Sequence, residues 1–167
     1  MLPIGENLNW HLGSKMVKET SDENTLAGVS DETTMQVNGQ YVKDFSFENP
    51  NSPQSLQPKN DPSIDVNIDV NAKKLLDDVY EVALTISVTG TDGADPLFVI
   101  ELIYAGVFTF SNMTDDKLQP SLLIDCPRLL FPFARSIIAN VTSDGGFPPL
   151  MLQPVNFAQL FMNSQKE

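Results

Sequence analysis

Side chains that could do covalent or acid-base chemistry are few in this chain, and their spacing argues against it. Cys126 is its one cysteine and His11 its one histidine. Together they would make a nucleophile and its base, but His11 lies in a polar N-terminal stretch with no core to hold it against a thiol. Cys126 falls on an apolar helical stripe, where a small buried residue is the simpler reading. Asp77-Asp78 and Asp115-Asp116 supply adjacent carboxylates, the residue type for general acid and base work. Each pair sits at an element boundary, where turn and cap chemistry accounts for it. The run beginning at Asp65, DVNIDVNA, spaces acids and amides like a calcium loop, yet Val70 stands where that loop needs glycine and Leu76 where it needs glutamate. Ser143-Asp144-Gly145-Gly146 is too short to cradle a phosphate. Neither an enzyme nor a cofactor is expected.

The remaining signal is the distribution of charge and apolar surface. The chain has 167 residues, is 41% hydrophobic and carries a formal net charge of −12. That length suits one domain with a sizeable core. So acidic a surface repels nucleic acid and anionic lipid and favours basic partners. A single cysteine cannot build an intrachain disulfide, which fits a reducing compartment. No apolar run approaches the ~20 residues that span a bilayer, and the N-terminus lacks the basic start and apolar core of a signal peptide. The expectation is a cytoplasmic protein with no membrane insertion.

These side chains must be positioned by elements that the pattern makes visible. Residues 1–36 show no sustained apolar period and read as a tail. From residue 37 a strand follows, with Tyr41, Phe45 and Phe47 on a buried face and Asp44, Ser46 and Glu48 on an acidic one, ended by Asn49-Pro50. A polar, proline-punctuated crossover comes next, with Leu56 its one large apolar residue. In the second strand Ile64, Val66, Ile68 and Val70 alternate with Asp65, Asn67, Asp69 and Asn71; in the third, Tyr80, Val82, Leu84, Ile86 and Val88 share a face. The turn TDGADP closes a hairpin. The fourth strand is apolar on both sides, with Phe98, Ile100, Leu102 and Tyr104 on one and Leu97, Val99, Ile103 and Val107 on the other. Both faces therefore need cover, and Ile100, Leu102 and Tyr104, with the long helix, are expected to meet neighbouring subunits.

Leu118, Leu122, Cys126, Leu129, Phe133, Ile137 and Val141 recur every three or four residues, which predicts one helical stripe about 25 residues long. Pro127 and Pro132 lie within it and cost about 3 kcal/mol each. Burying the stripe offsets more than that at roughly 1.5 to 3 kcal/mol per large side chain, so the helix is expected to survive, bent, and to stop at Gly145-Gly146. Asn156, with Gln159 three residues on, predicts the cap of a second, short helix. Leu150, Leu152, Phe157, Leu160 and Phe161 exceed what so short a helix needs to bury. They are expected to line a groove for extended apolar segments.

Four stretches, YVKDFSFENPNSP, LDDVYEVALTISVT, FVIELIYAGVFTF and CPRLLFPFARSIIANVTSDGGFPPLMLQPVNFAQLFMN, together resemble the SecB family of bacterial protein-export chaperones over residues 37–163. The resemblance implies an α+β fold: a four-stranded antiparallel sheet with one long bent helix and a short C-terminal helix, assembling as a dimer of dimers, a homotetramer. It implies a chaperone that binds unfolded preproteins and delivers them to the SecA translocation ATPase. It also implies that Asp44, Glu48, Val99 and Glu101 receive that ATPase, and that Leu56 of the crossover borders the groove for clients. Residues 1–36 and 164–167 fall outside the chaperone domain on this reading. The alternatives are an oligomeric α+β module enclosing a small apolar ligand and, more remotely, a hydrolase using the acidic pairs.

Overall fold

The computed structural model describes residues 33–164. Trp10, His11 and the expected tail as far as residue 32 lie outside the described residues, as do residues 165–167. Four strands, β1 (Thr34–Glu48), β2 (Ser63–Leu76), β3 (Val79–Asp92) and β4 (Asp95–Ser111), form one antiparallel sheet in the order β1-β4-β3-β2. β1 begins inside the stretch expected to be tail, so residues 34–36 belong to the sheet. After β4 the chain is helical from Asp115 to Asp144, as α1 (Asp115–Pro120), a π turn (Ser121–Asp125) and α2 (Cys126–Asp144). A short α3 (Phe157–Ser164) follows a twelve-residue irregular segment.

Alternation makes the sheet's two faces. Register pairs Leu84 with Tyr104, Ile86 with Leu102 and Val88 with Ile100, so these side chains share the inner face. α2 covers that face with Cys126, Leu130, Ala134 and Ile138, all without exposed surface. Gly106 permits the close approach, since a Cβ there would lie 2.9 Å from Leu130 Cδ2. Ile100 and Leu102 are fully buried and Tyr104 is 8% exposed within the single chain. The three side chains expected at a subunit interface are therefore covered by the chain's own helix: α2 occupies the place assigned to a neighbour.

Two further expectations are corrected. Tyr41 does not share a face with Phe45 and Phe47. The β1–β4 register skips a residue between Val42 and Asp44, and again between Val37 and Gly39. Each bulge shifts the side-chain parity by one. Phe45 and Phe47 thus point inward opposite Leu102 and Ile100, while Tyr41 points outward opposite Ala105. On the helix, the line that meets the sheet is Leu122, Cys126, Leu130, Ala134, Ile138 and Thr142. From Leu129 onward the expected stripe runs along its flank, leaving Leu129 exposed and Phe133 52% exposed.

Pro127 explains the π turn. It has no N–H to give the carbonyl four residues back, and its ring crowds that carbonyl, so the wider turn just before it relieves the clash. α2 stops at Asp144, where Gly146 adopts φ of +90°. Gln159 N–H donates to Asn156 Oδ1 at 3.1 Å, the cap expected for α3. Asp77 and Asp78 form the β2–β3 turn, with Asp78 at φ of 60° and its carbonyl accepting from Phe110 N–H at 2.8 Å. Asp115 and Asp116 occupy the first turn of α1, where negative charge suits the helix dipole. Cys126 is fully buried, and burial, with Asp125 beside it, pushes its thiol up to about 12.

Candidate binding surfaces

The outer face of the sheet gathers the acidic residues singled out from the sequence. Beyond the bulge at Lys43, β1 turns Asp44, Ser46 and Glu48 outward, opposite Ile103, Glu101 and Val99 of β4. β3 continues these rows with Thr85, Ser87 and Thr89. Asp44, Glu48 and Glu101 are exposed and Val99 is half-buried. Glu101 lies between Ser46 and Ser87. None of the three carboxylates forms an ion pair among the described residues. Uncompensated like charges on one open face sum to a field that draws a basic partner.

A polar cluster, not foreseen from the sequence, borders this face. Tyr41 Oη donates to Glu81 Oε1, and Lys43 Nζ lies 2.7 Å from Glu81 Oε2. Both reach from β1 over β4 to β3. Ala105, the small residue opposite Tyr41, lets the ring lie across it. The Lys43 and then the Tyr41 hydrogen bond hold the Glu81 carboxyl below its ordinary value of 4.5. That same bond to Glu81, with burial and the carboxylate's charge behind it, raises the Tyr41 hydroxyl. Alternation alone marks Glu81 as outward; its partners depend on the bulge.

On the helix side, a groove of about 460 Å³ runs between β2 and α3. Ile68, Val70, Leu123, Leu160 and Phe161 give it apolar walls, with Asn67, Asp69 and Asn163 as a polar rim. The edge position of β2 keeps it open, because among the described residues β2 pairs with β3 alone. Of the residues expected to bind clients, Leu160 and Phe161 line this groove. Leu150 is half-buried outside it. Leu56 is exposed on the crossover, packed against Gly146, where a Cβ would come within 2.9 Å of its Cδ2. Leu152, 5% exposed, and Phe157, 1% exposed, are core residues. The Phe157 ring meets Phe131 edge-on at 6.0 Å between centroids, so these two anchor α3 and cannot wall a groove. Ile68, Val70 and Leu123 were not foreseen as groove residues, because an alternating strand reads as half-buried until its edge position is known.

A third apolar region lies at the β1 side. Val42, Phe45, Leu129 and Phe133 remain exposed around Tyr104, whose ring stacks on Phe133 at 6.2 Å. No helix of the described residues is long and apolar enough to cross a membrane.

An antiparallel sheet covered by helices on one face and acidic on the other, with an open apolar groove, defines an α+β protein with two surfaces of opposite character. The family model described as preprotein translocase subunit SecB matches residues 29–167. The protein-export protein SecB of Bartonella quintana is 51% identical over 129 residues, 77% of this chain and 82% of that protein. That of Bradyrhizobium sp. strain BTAi1 is 51% identical over 133 residues, 79% of this chain and 82% of its own. The chain belongs to the SecB family. A similar fold is seen in the Mycobacterium tuberculosis Rv1957 SecB-like chaperone, solved with a peptide of the HigA1 antitoxin, at TM-score 0.61 and 13% identity over 72% of this chain and 90% of that one.

Proposed function

We propose that this protein is an export chaperone that binds unfolded preproteins and passes them to the SecA translocation ATPase. The observation that carries the reading is the convergence of Asp44, Glu48, Val99 and Glu101 on one uncovered sheet face, with an apolar groove on the helix side of the same sheet. Clients enter the groove by packing extended apolar segments against Ile68, Val70, Leu160 and Phe161. Such contacts discriminate by exposure, because native proteins bury these segments and slow folders leave them open. The basic partner meets the acidic face. The chain works in the cytoplasm as a homotetramer, and the strip of Val42, Phe45, Leu129 and Phe133 is the apolar surface its assembly covers.

The test has two arms. The purified protein should capture a chemically denatured preprotein on dilution and ignore its native form. A D44K/E48K/E101K variant should keep that capture and lose most SecA binding, with the largest loss at low salt, where attraction is least screened. Equal binding of native and denatured preprotein would refute the chaperone reading, and undiminished SecA binding by the variant would refute the docking face.

A further inference from the structure

Lys43 stands next in sequence to Asp44 and is the extra residue of the β1 bulge, on the side that carries the acidic face. A free ammonium there would offset the charge of Asp44 and stand in the way of any cation approaching it. It is not free: its Nζ is held 2.7 Å from Glu81 Oε2, across the width of β4, with Tyr41 Oη on the other oxygen of the same carboxylate. Glu81 is well placed for this, since its side chain is only 12% exposed while that of Lys43 is 46% exposed. The other nearby cation, Lys73, lies directly opposite Glu81 in the β2–β3 register and forms no ion pair among the described residues. Asp44, Glu48 and Glu101 are left unpaired among the described residues, as are Asp65 and Asp69, which β2 adds to the same face opposite Thr89 and Thr85.

We infer that Glu81 is a positioning residue for the acidic face: with Tyr41 it draws Lys43 away from Asp44 and so keeps that face open to basic partners. This rests on the proposed docking role only for the identity of the partner, since the electrostatic effect is a property of the face itself. The cluster acts through its neighbours. Glu81 need not touch the partner, and the cost of losing it is the release of Lys43.

The test uses a hexalysine peptide at low salt, followed through the backbone amide shifts of Ser46 and Glu101. E81Q, which keeps the shape of the side chain but gives up the ion pair, should weaken binding by about threefold or more, the size of one unit charge acting over a few ångströms in a high dielectric. K43Q/E81Q, which also removes the released cation, should return within about twofold of the parent. D115N, which removes one negative charge at the start of α1, should stay within about twofold. The inference is overturned if K43Q/E81Q binds as weakly as E81Q, because Glu81 then contacts the peptide itself. It is equally overturned if D115N weakens binding as much as E81Q, because net charge then accounts for both. Running the same variants against SecA separates the two proposals: a response to hexalysine with none to SecA keeps the role of Glu81 and removes the docking role of the face.

Discussion

Thr142 is the place where one hydroxyl holds two parts of the fold together. It is fully buried in the last turn of α2. Its Oγ1 lies 2.9 Å from the Ile138 carbonyl and 3.0 Å from that of Ala139, and accepts from Leu150 N–H at 2.9 Å. Leu150 belongs to the irregular segment between α2 and α3, which has no strand or helix of its own to satisfy its backbone. T142V keeps the volume and removes the acceptor, so the Leu150 N–H loses its partner at a cost of about 1 to 3 kcal/mol. The helix carbonyls lose little, because they retain their intrahelical bonds. T142S keeps the hydroxyl and removes one methyl, at about 1 kcal/mol. In a chain of this size each kcal/mol lowers Tm by about 2 to 4 °C. Stability alone separates the two variants poorly, and amide hydrogen exchange at Leu150 separates them well. Protection there should collapse in T142V and persist in T142S, both measured at one protein concentration so that any assembly contributes equally. A T142V protein with parental protection at Leu150 would show that the segment is held by Leu152 and Phe157 alone.

Urea unfolding should show F157A costing about 3 to 5 kcal/mol and L152A about 2 to 5, as buried truncations do. L160S, at a position 40% exposed, should stay within about 0.5 kcal/mol of the parent while reducing client capture; parental capture by a folded L160S would remove Leu160 from the groove. Glu81 has a native carboxyl held below 4.5, so its contribution to stability is present above the unfolded value and is lost as pH falls through the native one. The stability gap between the parent and E81Q should accordingly be widest near neutral pH and close on acidification, and a gap that widens in acid would contradict the ion pair. Cys126, with its thiol pushed up to about 12 by burial, should ignore a disulfide reagent at about pH 8 until the chain unfolds. Reaction of the native protein at the rate of an exposed thiol would contradict that burial.

The strands were legible because alternation is a local property. Val82 to Val88 declared the inner face of β3 residue by residue, and Asp44 and Glu48 declared the outer face of β1. The bulges were not legible, because nothing about Lys43 or Asn38 alone marks either as surplus; the skipped residue appears only when β1 is set against β4. Tyr41 was misplaced for that reason. The long helix gave its existence but not its orientation. Two adjacent apolar lines run along α2, and the sheet chose the one with Ala134 and Thr142, whose small side chains let the helix approach, over the one with Leu129 and Phe133. Leu152 and Phe157 looked surplus because the segment before α3 offers no period; their role is to tie that segment to the core. The SecB family resemblance supplied the placement of Val99 and Glu101 with Asp44 and Glu48, which the register then put on neighbouring rows.

The acidic face and the core are not independent features. Glu101 stands between Ile100 and Leu102, and Asp44 next to Phe45, so a one-residue slip of β1 or β4 would turn carboxylates inward and apolar side chains out. Burial of Ile100, Leu102 and Phe47 therefore fixes the outward carboxylates as firmly as it fixes the core. Asp44 and Glu48 are four residues apart on one strand, about 13 to 14 Å at the usual rise, so a partner that uses both must present its cations at that separation. The groove has the opposite character. One wall is an edge strand paired on one side only, and the other is a two-turn helix anchored at its start by Phe157 and open along Leu160. A surface with so few fixed contacts can yield to differently shaped apolar segments. One sheet thus carries a rigid pattern of charge on its outer face and a compliant apolar wall at its β2 edge.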